Sequence, residues 1–157
     1  DLFEAFPDAR FNIDAKAWPV VEPLCDLVQK TKTEARICIG SFSDARIQAV
    51  RARLGDVCHS LGPKGALRFR LASLARLPVS FTQGAGQLPM RQFGVPMVTK
   101  ASVAYAHKCG MQVHVWTINC ESTMHKLLDM GVDGVMTDDC ALLKKVLVAR
   151  NLWGAGH

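Results

Sequence analysis

Asp14 and Lys16 are two residues apart, and in an extended backbone side chains at that spacing share one face. A carboxylate is a ligand for a hard divalent cation such as Ca²⁺ or Mg²⁺, and a neighbouring ammonium can neutralise a phosphate oxygen. Each charge limits the cost of partly burying the other, so a structural ion pair would have the same spacing. Trp116 ends the apolar run from Met111, and if His114 shares its face, the indole stands at the same end of a strand and can wall a pocket. A core tryptophan would show the same pattern. Ser41-Phe42 offers a hydroxyl and an apolar wall, but Ser41 lacks the Gly-x-Ser-x-Gly context of an esterase nucleophile, which leaves Phe42 as the better candidate.

Other polar residues have plainer roles. His114 reads as a hydrogen-bonded interior histidine, because the sequence identifies no carboxylate partner for it. His59, His107 and His125 lack the spacing of metal ligands and read as surface or core residues. Asp138 and Asp139 are expected to include a helix cap, with a paired-carboxylate role as the alternative. The segment 84–89 could cradle an anion through backbone N–H groups, and a flexible loop explains it equally well.

These residues need strands to aim them. Arg10 to Ala15 alternates Phe11 and Ile13 with Asn12 and Asp14, the two-residue period of a strand. A helix over Pro19 to Lys32 follows, then a strand over Ala35 to Gly40 and a helix that Ser43 caps and Gly55 closes. A third strand over Asp56 to Ser60 leads to a helix through Leu67, Leu71, Leu74 and Leu77 that Pro78 ends. Ala85 to Leu88 is a fourth strand, and the rest of the Gly- and Pro-rich stretch to Val98 is expected to be loop. Thr99 caps a helix to His107, stopped by Gly110. Gln112 to Thr117, Glu121 to Met130, Asp133 to Met136 and Asp139 to Asn151 complete the strand and helix alternation.

Six such βα units imply parallel pairing with right-handed crossovers. An open nucleotide-binding sheet needs a glycine-rich turn after its first strand, and Ala15-Lys16-Ala17-Trp18 cannot make one. The expected class is therefore α/β of the (β/α)8 TIM-barrel type. A full barrel takes eight units and about 250 residues, so residues 1–157 are expected to be the C-terminal portion of one barrel domain, without its first two units.

Composition sets outer bounds. The chain has 157 residues, a hydrophobic share of 49% and a charged share of 21%, the profile of a globular domain. No apolar run approaches the ~20 residues of a membrane span. The net charge of +5 favours anionic ligands, but the basic residues are scattered without a stripe or stacking aromatics, which argues against nucleic acid. Six cysteines without a C-x-x-C motif read as thiols rather than a disulfide framework, leaning towards the cytoplasm.

Four stretches together carry a resemblance: Phe11-Asn12-Ile13-Asp14-Ala15-Lys16, Gly40-Ser41-Phe42, Val113-His114-Val115-Trp116-Thr117-Ile118-Asn119, and Gly131-Val132-Asp133-Gly134-Val135-Met136-Thr137-Asp138. In order and spacing they resemble the C-terminal part of the glycerophosphodiester phosphodiesterase family. The resemblance implies a (β/α)8 barrel that hydrolyses glycerophosphodiesters to an alcohol and glycerol 3-phosphate with a bound divalent metal, Ca²⁺ or Mg²⁺. It implies Asp14, where the family often has Glu, as a metal ligand, Lys16 as the catalytic cation on the phosphate, and Phe42 and Trp116 as substrate-binding walls. The family's early His-Arg, Glu-Asn and second His motifs are absent, so this chain alone is expected to be inactive. A non-catalytic module that binds a phosphorylated ligand or a protein partner is the alternative, and a phospholipase acting on intact lipids is a third reading. An incomplete set of parallel strands leaves edges beside an apolar interior, so self-association or pairing with the missing part is expected.

Overall fold

The computed structural model describes residues 2–82 and 84–154, which fall into two compact units, one of residues 2–71 with 81–82 and 84–86, the other of residues 72–80 with 87–154. Within the first are α1 (Leu2–Ala5), β1 (Phe11–Asp14), α2 (Val21–Thr31), β2 (Ile37–Gly40), α3 (Asp44–Leu54) and most of α4 (Pro63–Ala75). β1 and β2 run parallel with Phe11 opposite Ile37 and Asp14 opposite Gly40. Parallel bridges extend the pairing from Ile39 to His59 and from Ser60 to Ala85.

The core of this unit joins Phe3, Val21, Cys25, Val28, Ile37, Ile39, Val50 and Val57, with Phe11 and Ile13 packed against it. Because strand side chains alternate, burying Phe11, Ile13, Ile37 and Ile39 against the helices turns Asn12, Asp14, Cys38 and Gly40 to the other face. That division puts polar residues where chemistry is possible. α3 begins as expected, with the Ser43 side chain accepting from the Arg46 N–H, and closes at Gly55, whose φ of +70° suits glycine. The Lys64 N–H at the start of α4 is accepted by Asp44 Oδ2 at 3.2 Å.

Two expectations need correction. Leu67, Leu71 and Leu74 do mark one helical face of α4, but it is the outward one, 58–61% exposed, while Phe69, Ala72 and Ser73 are buried. Helical periodicity identifies a stripe without saying which stripe packs. α4 also ends at Ala75, before Leu77, where Arg76 takes a φ of +53°. The expected loop after Leu88 contains an antiparallel hairpin, β4 (Arg91–Gln92) with β5 (Val95–Pro96). Its two turn residues, Phe93 and Gly94, have φ of +51° and +78°, as a tight hairpin turn requires. Phe is not a residue that announces such a turn, so the pattern is silent in the sequence.

Ahead of that hairpin lies β3 (Ala85–Pro89), which enters the second unit at Gln87. The second unit continues with α5 (Lys100–Lys108), β6 (Gln112–Trp116), α6 (Glu121–Met130), β7 (Gly134–Val135) and α7 (Cys140–Ala149). Its sheet has the order β3-β6-β7, with β6 and β7 parallel and His114 opposite Gly134. Thr99 and Ser102 form a reciprocal cap on α5. Val113 and Val115 of β6 are buried, as are Met124 and Leu127 of α6 and Val146 of α7, whereas His114 and Trp116 take the other face of the strand and are half-buried. Among the described residues, no helix is long and apolar enough to cross a membrane.

Candidate active site at two strand ends

In the first unit the site is built on the carboxyl ends of β1 and β2. Asp14 is the last residue of β1, half-buried on the face away from the core, and its Oδ1 is buried without a hydrogen-bond partner. Lys16 follows on the surface and does not answer that oxygen. Between them Ala15 is only 1% exposed and its peptide is pinned on both sides. Its N–H donates to the Gly40 carbonyl at 2.8 Å, while its carbonyl accepts from Ser41 Oγ at 2.7 Å and from Arg46 Nε at 2.8 Å. Arg46 Nε also reaches Ser41 Oγ at 3.0 Å. The end of β2 and the first turn of α3 thus fix the backbone that carries Asp14 and Lys16. Ser41 is 7% exposed and serves this structural purpose, while Phe42, the next residue, is 67% exposed.

The second unit holds Trp116 at the end of β6, beside a polar knot. Asn119 Oδ1 accepts from Thr137 Oγ1 and from the Asp138 N–H, each at 2.9 Å, and its Nδ2 donates to Asp138 Oδ2 at 2.9 Å. The Asp139 N–H donates to Thr137 Oγ1 at 3.0 Å, and Asp139 Oδ1 accepts from Leu142 N–H at 2.9 Å. Asp139 is therefore the expected helix cap, and Asp138 is tied to Asn119. The His114 ring lies over Gly134, where a Cβ would come within 2.8 Å of Cδ2. Burial lowers its pKa below the ordinary histidine value, against a smaller upward pull from Asp133.

The other histidines are engaged elsewhere. His59 is 2% exposed with Nδ1 3.1 Å from the Val57 carbonyl, and burial again lowers its pKa. His107 Nε2 sits 2.9 Å from Asp133 Oδ2, a partner the sequence does not identify, and His125 Nδ1 is 3.3 Å from Arg150.

The fit of a divalent cation turns on Asp14. A buried carboxylate oxygen with no donor is costly and suits a cation. Among the described residues, however, no group of three or more His, Cys, Asp or Glu could hold a metal. Ca²⁺ takes six to eight oxygens and Mg²⁺ about six, so the described residues offer Asp14 as a candidate position without a complete shell.

Arg46 and Asn119 are the residues ordering these strand ends that sequence reasoning misses. Arg46 contacts a carbonyl 31 positions away, which leaves no local signal. Asn119 does have one, an amide placed immediately after a strand, but its partners lie 18 and 19 positions downstream.

Residues 10–142 match the model of the glycerophosphoryl diester phosphodiesterase family. The chain belongs to this family. A Mycobacterium tuberculosis protein named "Probable glycerophosphodiester phosphodiesterase 2" is 42% identical over 98% of this chain and 60% of its own length. A lysophospholipase D of Rattus norvegicus is 26% identical over 94% of this chain and 55% of its own. The chain thus spans somewhat more than half of the curated relatives it matches.

Solved structures agree on the fold. The glycerophosphoryl diester phosphodiesterase domain of a second M. tuberculosis protein matches with a TM-score of 0.70 at 17% identity, over 91% of this chain and 59% of that one. The Agrobacterium tumefaciens glycerophosphodiester phosphodiesterase matches with a TM-score of 0.67 at 15% identity, over 94% and 60%. The fold is α/β of the (β/α)8-barrel type, represented by a part of it.

Proposed function

We propose that this chain is the C-terminal share of a metal-assisted phosphodiesterase that cleaves glycerophosphodiesters into an alcohol and glycerol 3-phosphate. Membership of the family over residues 10–142, with Asp14 and Lys16 kept at one strand end, carries this reading. Asp14 would contribute one oxygen to a bound Ca²⁺ or Mg²⁺, and the unpartnered Oδ1 supports that role. When bound, such an ion supplies Lewis-acid neutralisation of the phosphate. Lys16 places its ammonium against a phosphate oxygen and offsets the charge that grows there during attack by water. Ser41 and Arg46 act through the Ala15 carbonyl to hold both side chains in place. Phe42 in the first unit and Trp116 in the second are each proposed as an apolar wall for a glycerol or leaving group.

We assign proton transfer to none of His59, His107, His114 and His125. Their burial or existing partners supply the reason. The chain by itself is then inactive, and it self-associates or pairs with further barrel units; the exposed Leu67, Leu71 and Leu74 support association.

The deciding experiment measures hydrolysis of a panel of glycerophosphodiesters and lysophospholipids with Ca²⁺, Mg²⁺ or a chelator. It compares this chain with the same chain joined to the portion of the 42%-identical relative that it does not cover. Activity only in the joined protein, dependent on metal and lost in Lys16→Ala, supports the reading. Activity in the short chain overturns its inactive half. No activity in either, with retained binding of glycerol phosphate, moves the function to a non-catalytic binding module, for which the small ligand set of the chain speaks.

A further inference from the structure

The described cysteines form no disulfide, yet two of them stand together in the first unit. Ile39 pairs in parallel with His59, and its N–H donates to the Cys58 carbonyl at 2.9 Å. One register step earlier, Cys38 and Cys58 are therefore lateral neighbours. Ile37 and Ile39 are 3% and 0% exposed in the core, so Cys38 between them points to the opposite face; buried Val57 and His59 flank Cys58 in the same way. The two side chains thus share one face, and each thiol shifts the other's titration. Adjacent strands lie about 4.8 Å apart, inside the ~4.4–6.8 Å between Cα atoms that a disulfide spans.

The two sulfurs differ in reach. Cys58 is exposed and Cys38 half-buried, which suits a first-reacting thiol and a sheltered partner that resolves it. Beside them Gly84 leaves room for Cys58 Sγ, since a Cβ there would stand 2.8 Å from the sulfur. Interaction with the Cys38 thiol draws the Cys58 thiol down to about 7, while Cys38 is pushed up by the same interaction and by burial.

We propose that Cys38 and Cys58 form a thiol pair that hydroperoxides oxidise to a disulfide between β2 and the extended segment bridged to it at His59. The Cys58 thiolate attacks the hydroperoxide, forming an S–O bond and breaking the O–O bond. The alcohol or water leaves with a proton, and Cys58 becomes a sulfenic acid. The Cys38 sulfur then attacks Cys58, its proton leaves with the hydroxyl group as water, and the S–S bond replaces the S–O bond. Two thiols and one hydroperoxide give one disulfide, one alcohol or water, and one further water; the two electrons pass from sulfur to the O–O bond.

The test treats the 157-residue chain with limiting hydrogen peroxide, alkylates the remaining thiols, and maps the peptides by mass. The expected product is an intramolecular species with two fewer alkylated cysteines and a Cys38–Cys58 linked peptide that a reducing dithiol releases. In Cys38→Ser a sulfenic-acid trap should label Cys58 instead. The proposal is overturned if Cys58 in the unmutated chain reaches sulfenic or sulfinic acid without the link. It is equally overturned if Cys120, also drawn down to about 7 by Ser122 and Thr123, consumes the oxidant while Cys38 and Cys58 stay fully alkylatable.

Discussion

The strand ends of the two units handle the same problem differently. At the end of β6 and β7 every polar group of the Asn119, Thr137, Asp138 and Asp139 knot named above has a partner inside the unit. At the end of β1 and β2 the backbone is equally well fixed, by Ser41 and Arg46, but Asp14 Oδ1 is buried and unanswered. A satisfied network rigidifies, whereas an unsatisfied buried acceptor costs stability and persists where a ligand repays it. On the proposed reading, the polar knot at the second strand end is scaffolding, with Trp116 beside it as a wall, and the first strand end receives the ligand.

Turnover offers the largest test of that contrast. In the joined, active protein, Lys16→Ala should lower kcat by about 10²–10³-fold, the scale of losing one transition-state donor. Asn119→Ala should lower it less than about tenfold at a temperature where the variant is folded. Equal losses would erase the distinction.

Stability should show the reverse order. Asn119→Ala removes the partner of a hydroxyl, an N–H and a carboxylate, and urea denaturation should register a loss of about 1–3 kcal/mol. Asp14→Asn removes a charge whose Oδ1 has no partner, so its midpoint should change by less than about 0.5 kcal/mol or rise. A large loss from Asp14→Asn would mean that the carboxylate is structural. Between these, Arg46→Ala takes one of two side-chain donors from the Ala15 carbonyl and should cost about 1 kcal/mol.

The smallest effect is one of pH and occurs in both units. Burial holds the folded pKa of His59 and of His114 below the ordinary value of about 6.5. Below pH ~6.5 the unfolded chain takes up protons that the folded chain refuses, so stability falls with pH in that window and levels off once the folded values are passed. His59→Gln or His114→Gln should flatten that slope in urea titrations. An unchanged slope in either variant would show that the group titrates alike in both states.

Much of this was readable in advance. The alternation in Arg10 to Ala15 and the Ser43 and Thr99 caps depend on neighbours a few positions away and stand where local chemistry places them, and the cap expected at Asp138 or Asp139 falls to Asp139. The hairpin at Phe93 and Gly94 was not readable, because its turn uses a residue whose side chain disfavours the required φ.

By itself the sequence determined most of the succession of strands and helices, though the strand expected over Asp56 to Ser60 is reduced to single bridges at His59 and Ser60, together with the family and Asp14, Lys16, Phe42 and Trp116 as the residues to watch, because period and capping are local properties. Only the tertiary structure decided that Arg46 and Ser41 grip Ala15, that Asn119 closes a knot with Asp138, that the leucine stripe of α4 faces outward, and that Cys38 meets Cys58. Each of these depends on pairing between segments roughly 20 to 30 residues apart or on which side of a helix finds a partner, and the spacing of residues along a single chain does not specify either.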